Sequence, residues 1–115
     1  MPNAQCLTAL ITGATGFVGG WLAQELRSAY PTLRLFGTSY RSTGAEFLPD
    51  GMTVVPVDFT DADTVATVAA DIAPDVVFHL AGFASGAGTD KEAIFRANVD
   101  GTRNLLTALQ WQEKP

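Results

Sequence analysis

Leu10-Ile11-Thr12-Gly13-Ala14-Thr15-Gly16-Phe17-Val18-Gly19-Gly20 is the stretch that decides the fold. The apolar run from Cys6 to Ile11 leads into Gly13, Gly16 and Gly19, and an amphipathic segment follows at once. A buried strand thus enters a tight turn, and the turn opens a helix. Such a junction leaves backbone N–H groups unpaired beside the positive end of a helix dipole, which suits a phosphate. Gly13 is expected to allow the tight turn, Gly16 to let a pyrophosphate approach the backbone, and Gly19 to let helix and strand pack closely. On the triplet alone an ordinary structural turn is the competing reading, and the surrounding chain decides between them.

Outward from that turn, strand and helix alternate. The first strand is expected over Gln5 to Thr12 and a helix over Phe17 to Ala29, with Val18, Leu22 and Leu26 on one stripe. Tyr30-Pro31 ends the helix, because the residue before a proline avoids the helical region. Leu33 to Ser39 reads as strand two, Tyr40 to Gly51 as a loop closed by Pro49-Asp50-Gly51, and Thr53 to Val57 as strand three. Thr60 is the expected N-cap of a helix reaching Ile72, which Ala73-Pro74-Asp75 breaks. Val76 to Leu80 is continuously apolar apart from His79, as in a parallel strand covered on both faces. A Gly/Ala-rich loop over Ala81 to Thr89 precedes a last helix over Asp90 to Trp111, with Ala93, Ala97, Leu105 and Leu109 near one face. The class is α/β with a parallel sheet, and right-handed crossovers give strand order 3-2-1-4.

Composition bounds the function. The chain of 115 residues is at most one domain, and 47% hydrophobic with 17% charged residues describes a globular chain. A formal net charge of -5 argues against a general nucleic-acid partner. The lone Cys6 offers neither a disulfide framework nor zinc spacing and reads as an inert strand thiol. No signal peptide and no apolar run of membrane-spanning length is present, so the expected compartment is the cytoplasm, with no membrane partner.

With its context in place, the glycine triplet reads as a dinucleotide fingerprint within a βαβ unit. The end of strand two separates the cofactors. It runs through Thr38, Ser39, Tyr40, Arg41 and Ser42 with no carboxylate to meet a ribose 2′-OH, Glu46 being the nearest. Arg41 with its flanking hydroxyls suits a 2′-phosphate, so NADP is the expected cofactor and NAD the other candidate. The competing reading of Arg41 is a solvated loop residue. A P-loop nucleotidase is a poor match because no Gly-Lys-Ser/Thr follows the turn.

The segment Thr12 to Gly19 resembles the phosphate-binding motif of the extended short-chain dehydrogenase/reductases, NAD(P)-dependent epimerases, dehydratases and reductases of sugar nucleotides. Three further segments match in the family's order. Asp58-Phe59 is similar to the pair whose carboxylate contacts the adenine amino group. His79-Leu80-Ala81-Gly82 is similar to the segment lining the ribose and nicotinamide. Asn98-Val99-Asp100-Gly101-Thr102-Arg103-Asn104-Leu105-Leu106 is similar to the Asn-Val-x-Gly-Thr-x-x-Leu-Leu run of the fourth helix, with Asn98 toward the cofactor. Asn98 is locally disfavoured in mid-helix, since its amide competes for backbone hydrogen bonds. Leu80, Ala81 and Gly82 would line the nicotinamide side, and Phe17 and Val18 would flank the pyrophosphate. The family assigns His79 no proton transfer. Ser85 and Thr89 fall where a nucleotide-sugar substrate would sit, and Trp21 and Trp111 read as packing or interface aromatics.

The resemblance implies a three-layer, Rossmann-like doubly wound parallel sheet, truncated here after about four strands. Family catalysis uses a Tyr-x-x-x-Lys, and neither Tyr30 nor Tyr40 begins one; the lysines are Lys91 and Lys114. The expectation is therefore the cofactor-binding N-terminal part, residues 1–115, of a longer enzyme, itself without catalytic residues. The parent would be a homodimer built through its fourth and fifth helices. The alternative is a non-catalytic NADP-binding sensor or scaffold protein of the same fold.

Overall fold

The structure is a computed structural model, and it describes residues 7–40, 48–82 and 91–110. Its elements are β1 (Thr8–Thr12), α1 (Phe17–Ala29), β2 (Arg34–Ser39), β3 (Thr53–Pro56), α2 (Ala62–Ile72), β4 (Val76–His79) and α3 (Lys91–Gln110). The four strands form one parallel sheet in the order β3-β2-β1-β4, as the alternation predicts. The residues divide into two compact units. The first, Met1–Val57 with Ile72–Ala81, holds the sheet and α1; the second, Asp58–Asp71 with Gly82–Pro115, holds α2 and α3.

In the first unit the central strand β1 is buried at all five positions. Ala9 and Ile11 point to one face, where they cluster with Ala23 of α1 and with Leu33 and Leu35. Leu22 and Leu26 pack on that cluster one turn apart, which is why α1 needs an apolar stripe of helical period. Gly37 on β2 is required by the same packing: a Cβ there would lie 2.6 Å from the Ala14 methyl and 2.6 Å from Met52 Cε. Helix α1 closes at Tyr30, whose N–H reaches Leu26 O, and Arg27 of its last turn donates to Pro31 O and Leu33 O at 2.9 and 2.7 Å. Asp75 fixes the register of β4, donating its N–H to Thr8 O while its carboxylate accepts the Thr8 N–H, both at 2.8 Å. Just before it, Ala73 adopts φ 49°, the left-handed conformation that lets the chain leave α2, and Pro74 follows.

In the second unit the start of α2 differs from the sequence expectation. Asp61, not Thr60, is the N-cap: Thr64 N–H donates to Asp61 Oδ1 at 3.2 Å and Thr64 Oγ1 to Oδ2 at 2.8 Å. These two bonds, with the hydroxyl the larger cause, hold the Asp61 carboxyl below its ordinary value. Thr60 is used one step earlier, in a turn with Asp58. Along α3, Gly101 and Leu105 are buried, whereas Ala93 is exposed and lies off the expected stripe.

Candidate dinucleotide site

The three glycines of the turn do three different jobs. Gly13 has φ +69°, and a Cβ on it would come within 2.9 Å of Ala81 N and 3.0 Å of the Leu80 carbonyl carbon. Gly19 lies over the turn itself: its Cβ would meet Gly13 O at 2.5 Å and Ala14 Cα at 2.8 Å. Gly16 is different. Its φ of -77° is open to any residue, and the only backbone near a Cβ is Gly13 O at 3.3 Å. Gly13 and Gly19 are therefore glycine because the protein is close, whereas at Gly16 a methyl would need Gly13 O to give by only a few tenths of an ångström.

Two strands brace this turn. From β2, the buried Thr38 accepts the Gly13 N–H on Oγ1 at 3.2 Å and the Ala14 N–H on its carbonyl at 2.8 Å. From β1, Thr12 Oγ1 accepts the Ala81 N–H at 3.0 Å and meets His79 Nδ1 at 2.7 Å, while Thr12 O accepts the Leu80 N–H at 3.2 Å. Gly13, Leu80 and Ala81 are thus joined at the carboxyl ends of β1 and β4, where parallel α/β sheets take ligands. Burial pushes the His79 imidazole below its ordinary value of 6.5, so the ring sits neutral against Thr12 at neutral pH.

Helix α1 begins at this turn with the N-cap Gly16 making no side-chain capping bond and no acidic residue in its first turn. Its positive end and its first N–H groups are therefore not neutralised by a capping side chain. Phe17 and Val18 are 83% and 60% exposed. Beside them a groove of about 350 Å³ is walled by Phe17, Trp21, Gln24 and Leu48.

In the second unit, Asp58 is exposed and accepts the N–H and hydroxyl of Thr60 on one oxygen, Oδ1, at 3.0 and 2.7 Å. Phe59 lies against α3, where Asn104 Nδ2 donates to its carbonyl at 2.8 Å. Gly82 faces Asn98, whose Oδ1 would be 3.3 Å from a Cβ on the glycine. Arg41, Ser85, Thr89, Cys6 and Trp111 lie outside the described residues. Sequence reasoning missed Thr38 and Asn104. Nothing local marks Thr38, but Asn104 shares with Asn98 the cost of an amide in mid-helix, and the same reasoning reaches both.

A parallel sheet in this order, with a glycine turn feeding α1, defines a Rossmann-like nucleotide-binding fold. The chain belongs to the NAD dependent epimerase/dehydratase family, whose model matches residues 9–114. It is 32% identical over 110 residues to a UDP-glucose 4-epimerase of Mycoplasma pneumoniae, covering 92% of this chain and 32% of that protein. It is 34% identical over 107 residues to a 3-beta-hydroxysteroid dehydrogenase of Mycolicibacterium neoaurum, covering 88% and 28%. Among solved structures, the UDP-glucose 4-epimerase of Thermus thermophilus in complex with NAD superposes with a TM-score of 0.76, at 28% identity over 89% of this chain and 33% of that one. The chain spans about a third of the length of these relatives. No helix among the described residues is long and apolar enough to cross a membrane.

Proposed function

We propose that this chain is the dinucleotide-holding part of an NAD(P)-dependent epimerase, dehydratase or reductase acting on a nucleotide sugar. The observation that carries the reading is Gly16: a glycine less demanded by the backbone around it, with φ -77° and only Gly13 O near a Cβ, at the uncapped start of α1, between two glycines that close packing does demand. A pyrophosphate lying on that face supplies a further reason, and the turn fits such a group because the helix start is uncapped and little but Gly13 O stands near a Cβ on Gly16. When bound, the cofactor would accept and return a hydride at its nicotinamide ring. The chain's part is to hold it: Gly13, Gly16 and Gly19 with Phe17 and Val18 at the pyrophosphate, and Leu80 to Gly82 with Asn98 toward the nicotinamide. Asp58 and Phe59 would meet the adenine, and Arg41 a 2′-phosphate, which makes NADP the preferred cofactor and NAD the other candidate.

Residues 1–115 carry no Tyr-x-x-x-Lys, so hydride transfer is expected only where further residues supply the acid/base. The UDP-glucose epimerase relatives support the nucleotide-sugar substrate. A homodimer built through α3 is supported by its exposed Phe95, Val99 and Leu106, which fall on one helical stripe. Titration of the chain with NADPH and NADH tests the central claim. Saturable binding of either supports it, and binding of neither at millimolar concentration overturns it.

A further inference from the structure

We propose that Asn104 and Gly101 of α3 are positioning residues that set adenine recognition by aiming the Asp58–Phe59 turn. The proposal rests on the dinucleotide reading above and names what tunes one end of that site.

The four residues from Asp58 to Asp61 lie between the end of β3 and the start of α2 and belong to neither. Their shape is fixed by the bond from Asp61 N–H to Asp58 O at 3.0 Å and by the two Thr60 bonds to Asp58 Oδ1. Both Thr60 bonds land on one oxygen, so the second carboxylate oxygen takes no part in the turn. This rigid turn is anchored to α3 through Phe59. Asn104 reaches back 45 residues to the Phe59 carbonyl at 2.8 Å. Gly101, one turn earlier on the same helical face, lies so close that a Cβ would be 3.0 Å from Phe59 Cβ. The Phe59 carbonyl shares its peptide plane with the Thr60 N–H, which donates to Asp58 Oδ1. A shift of that carbonyl therefore moves the donor that holds the Asp58 carboxylate.

An exposed carboxylate just beyond the carboxyl end of a parallel strand is an acceptor for an exocyclic amine. The amine of adenine is absent from hypoxanthine, which carries a keto oxygen in its place. The pair of reduced dinucleotides differing only in this base, adenine against hypoxanthine, therefore reads the aim of Asp58 directly. The unmodified chain is expected to bind the adenine form about tenfold tighter, the weight of one charge-assisted hydrogen bond.

Asn104→Asp keeps the size of the side chain and removes the donor. We expect it to bring the two affinities within about twofold of each other while binding of reduced nicotinamide mononucleotide, which has no adenine, is unchanged. Gly101→Ala pushes on Phe59 through its Cβ, is expected to lower the same ratio, and carries the test if Asn104→Asp does not fold. An equal loss of affinity for both dinucleotides, or an unchanged ratio in a folded variant, overturns the positioning role. A ratio near one in the unmodified chain overturns it too, while leaving the dinucleotide reading standing. Failure of the unmodified chain to bind either form overturns both.

Discussion

Thr12 and His79 are register partners across β1 and β4, and their side chains meet at 2.7 Å on the sheet face beside the glycine turn. The same hydroxyl accepts the Ala81 N–H, so the ring, the hydroxyl and the start of the loop after β4 form one short network. Because burial holds the imidazole below its ordinary value of 6.5, the unfolded chain binds its proton more readily than the folded one.

Stability from His79 is thus fully present above pH 6.5 and is lost as pH falls through the lower folded value. Urea midpoints measured from pH 8 to pH 5 should decline on the acid side, and His79→Gln should flatten that decline. Asp61 acts in a separate window: its contribution is present above its ordinary value of 3.8 and disappears only below that. A His79→Gln variant with the unmodified slope between pH 7 and pH 5 would contradict this assignment.

The glycine turn separates folding from binding. Gly19→Ala should destabilise the chain by about 1–3 kcal/mol, because its Cβ meets backbone at 2.5 Å and backbone cannot step aside. Gly16→Ala should cost clearly less stability than Gly19→Ala, since its φ is open to alanine and Gly13 O, at 3.3 Å, needs to give by only a few tenths of an ångström. The same Gly16→Ala change should weaken dinucleotide binding by about tenfold or more, which calorimetric titration would read. Full affinity in that variant would remove the pyrophosphate from the face of Gly16.

Capping of α2 gives a local contrast. Asp61→Ala removes both bonds to Thr64 and should lower the denaturant midpoint measurably. Thr60→Val keeps the cap and should cost less, while freeing Asp58 Oδ1 of one bond. Equal losses in denaturant midpoint for the two variants would argue that the cap is not where the structure puts it.

The role proposed for Arg41 predicts a cofactor preference. The ratio of NADPH to NADH affinity should exceed one in the unmodified chain and invert in Arg41→Asp, which replaces a phosphate partner with a group that accepts from a ribose hydroxyl. A ratio untouched by the substitution would take Arg41 out of the site.

Much of this architecture is written locally. Periodicity places the strands and helices, Tyr30-Pro31 ends α1, and the glycine spacing announces the turn before any neighbour is known. The contacts that hold the turn are not local. Thr38 looks like any strand threonine until β2 lies beside β1 and brings its oxygens to Gly13 and Ala14. Gly37 is explained only by Ala14 and Met52, which the sheet brings to it. The choice between Thr60 and Asp61 as cap turned on one residue of register, because both side chains can accept a helix N–H and only the turn at Asp58 decides which is free to do so.

The position of β1 has a consequence for how the chain is made. It is the earliest of the four strands to leave the ribosome, yet it is central in the finished sheet, and its partner His79 follows Thr12 by 67 residues. Translation must pass β2, β3 and α2 before Val76–His79 emerges to close the second flank of β1. Until then five residues that end fully buried have one open hydrogen-bonding edge, and at synthesis rates of about 5–20 residues per second that interval lasts several seconds. The nascent chain is most in need of shielding by chaperones during that interval, and a product stalled before Asp75 never leaves it.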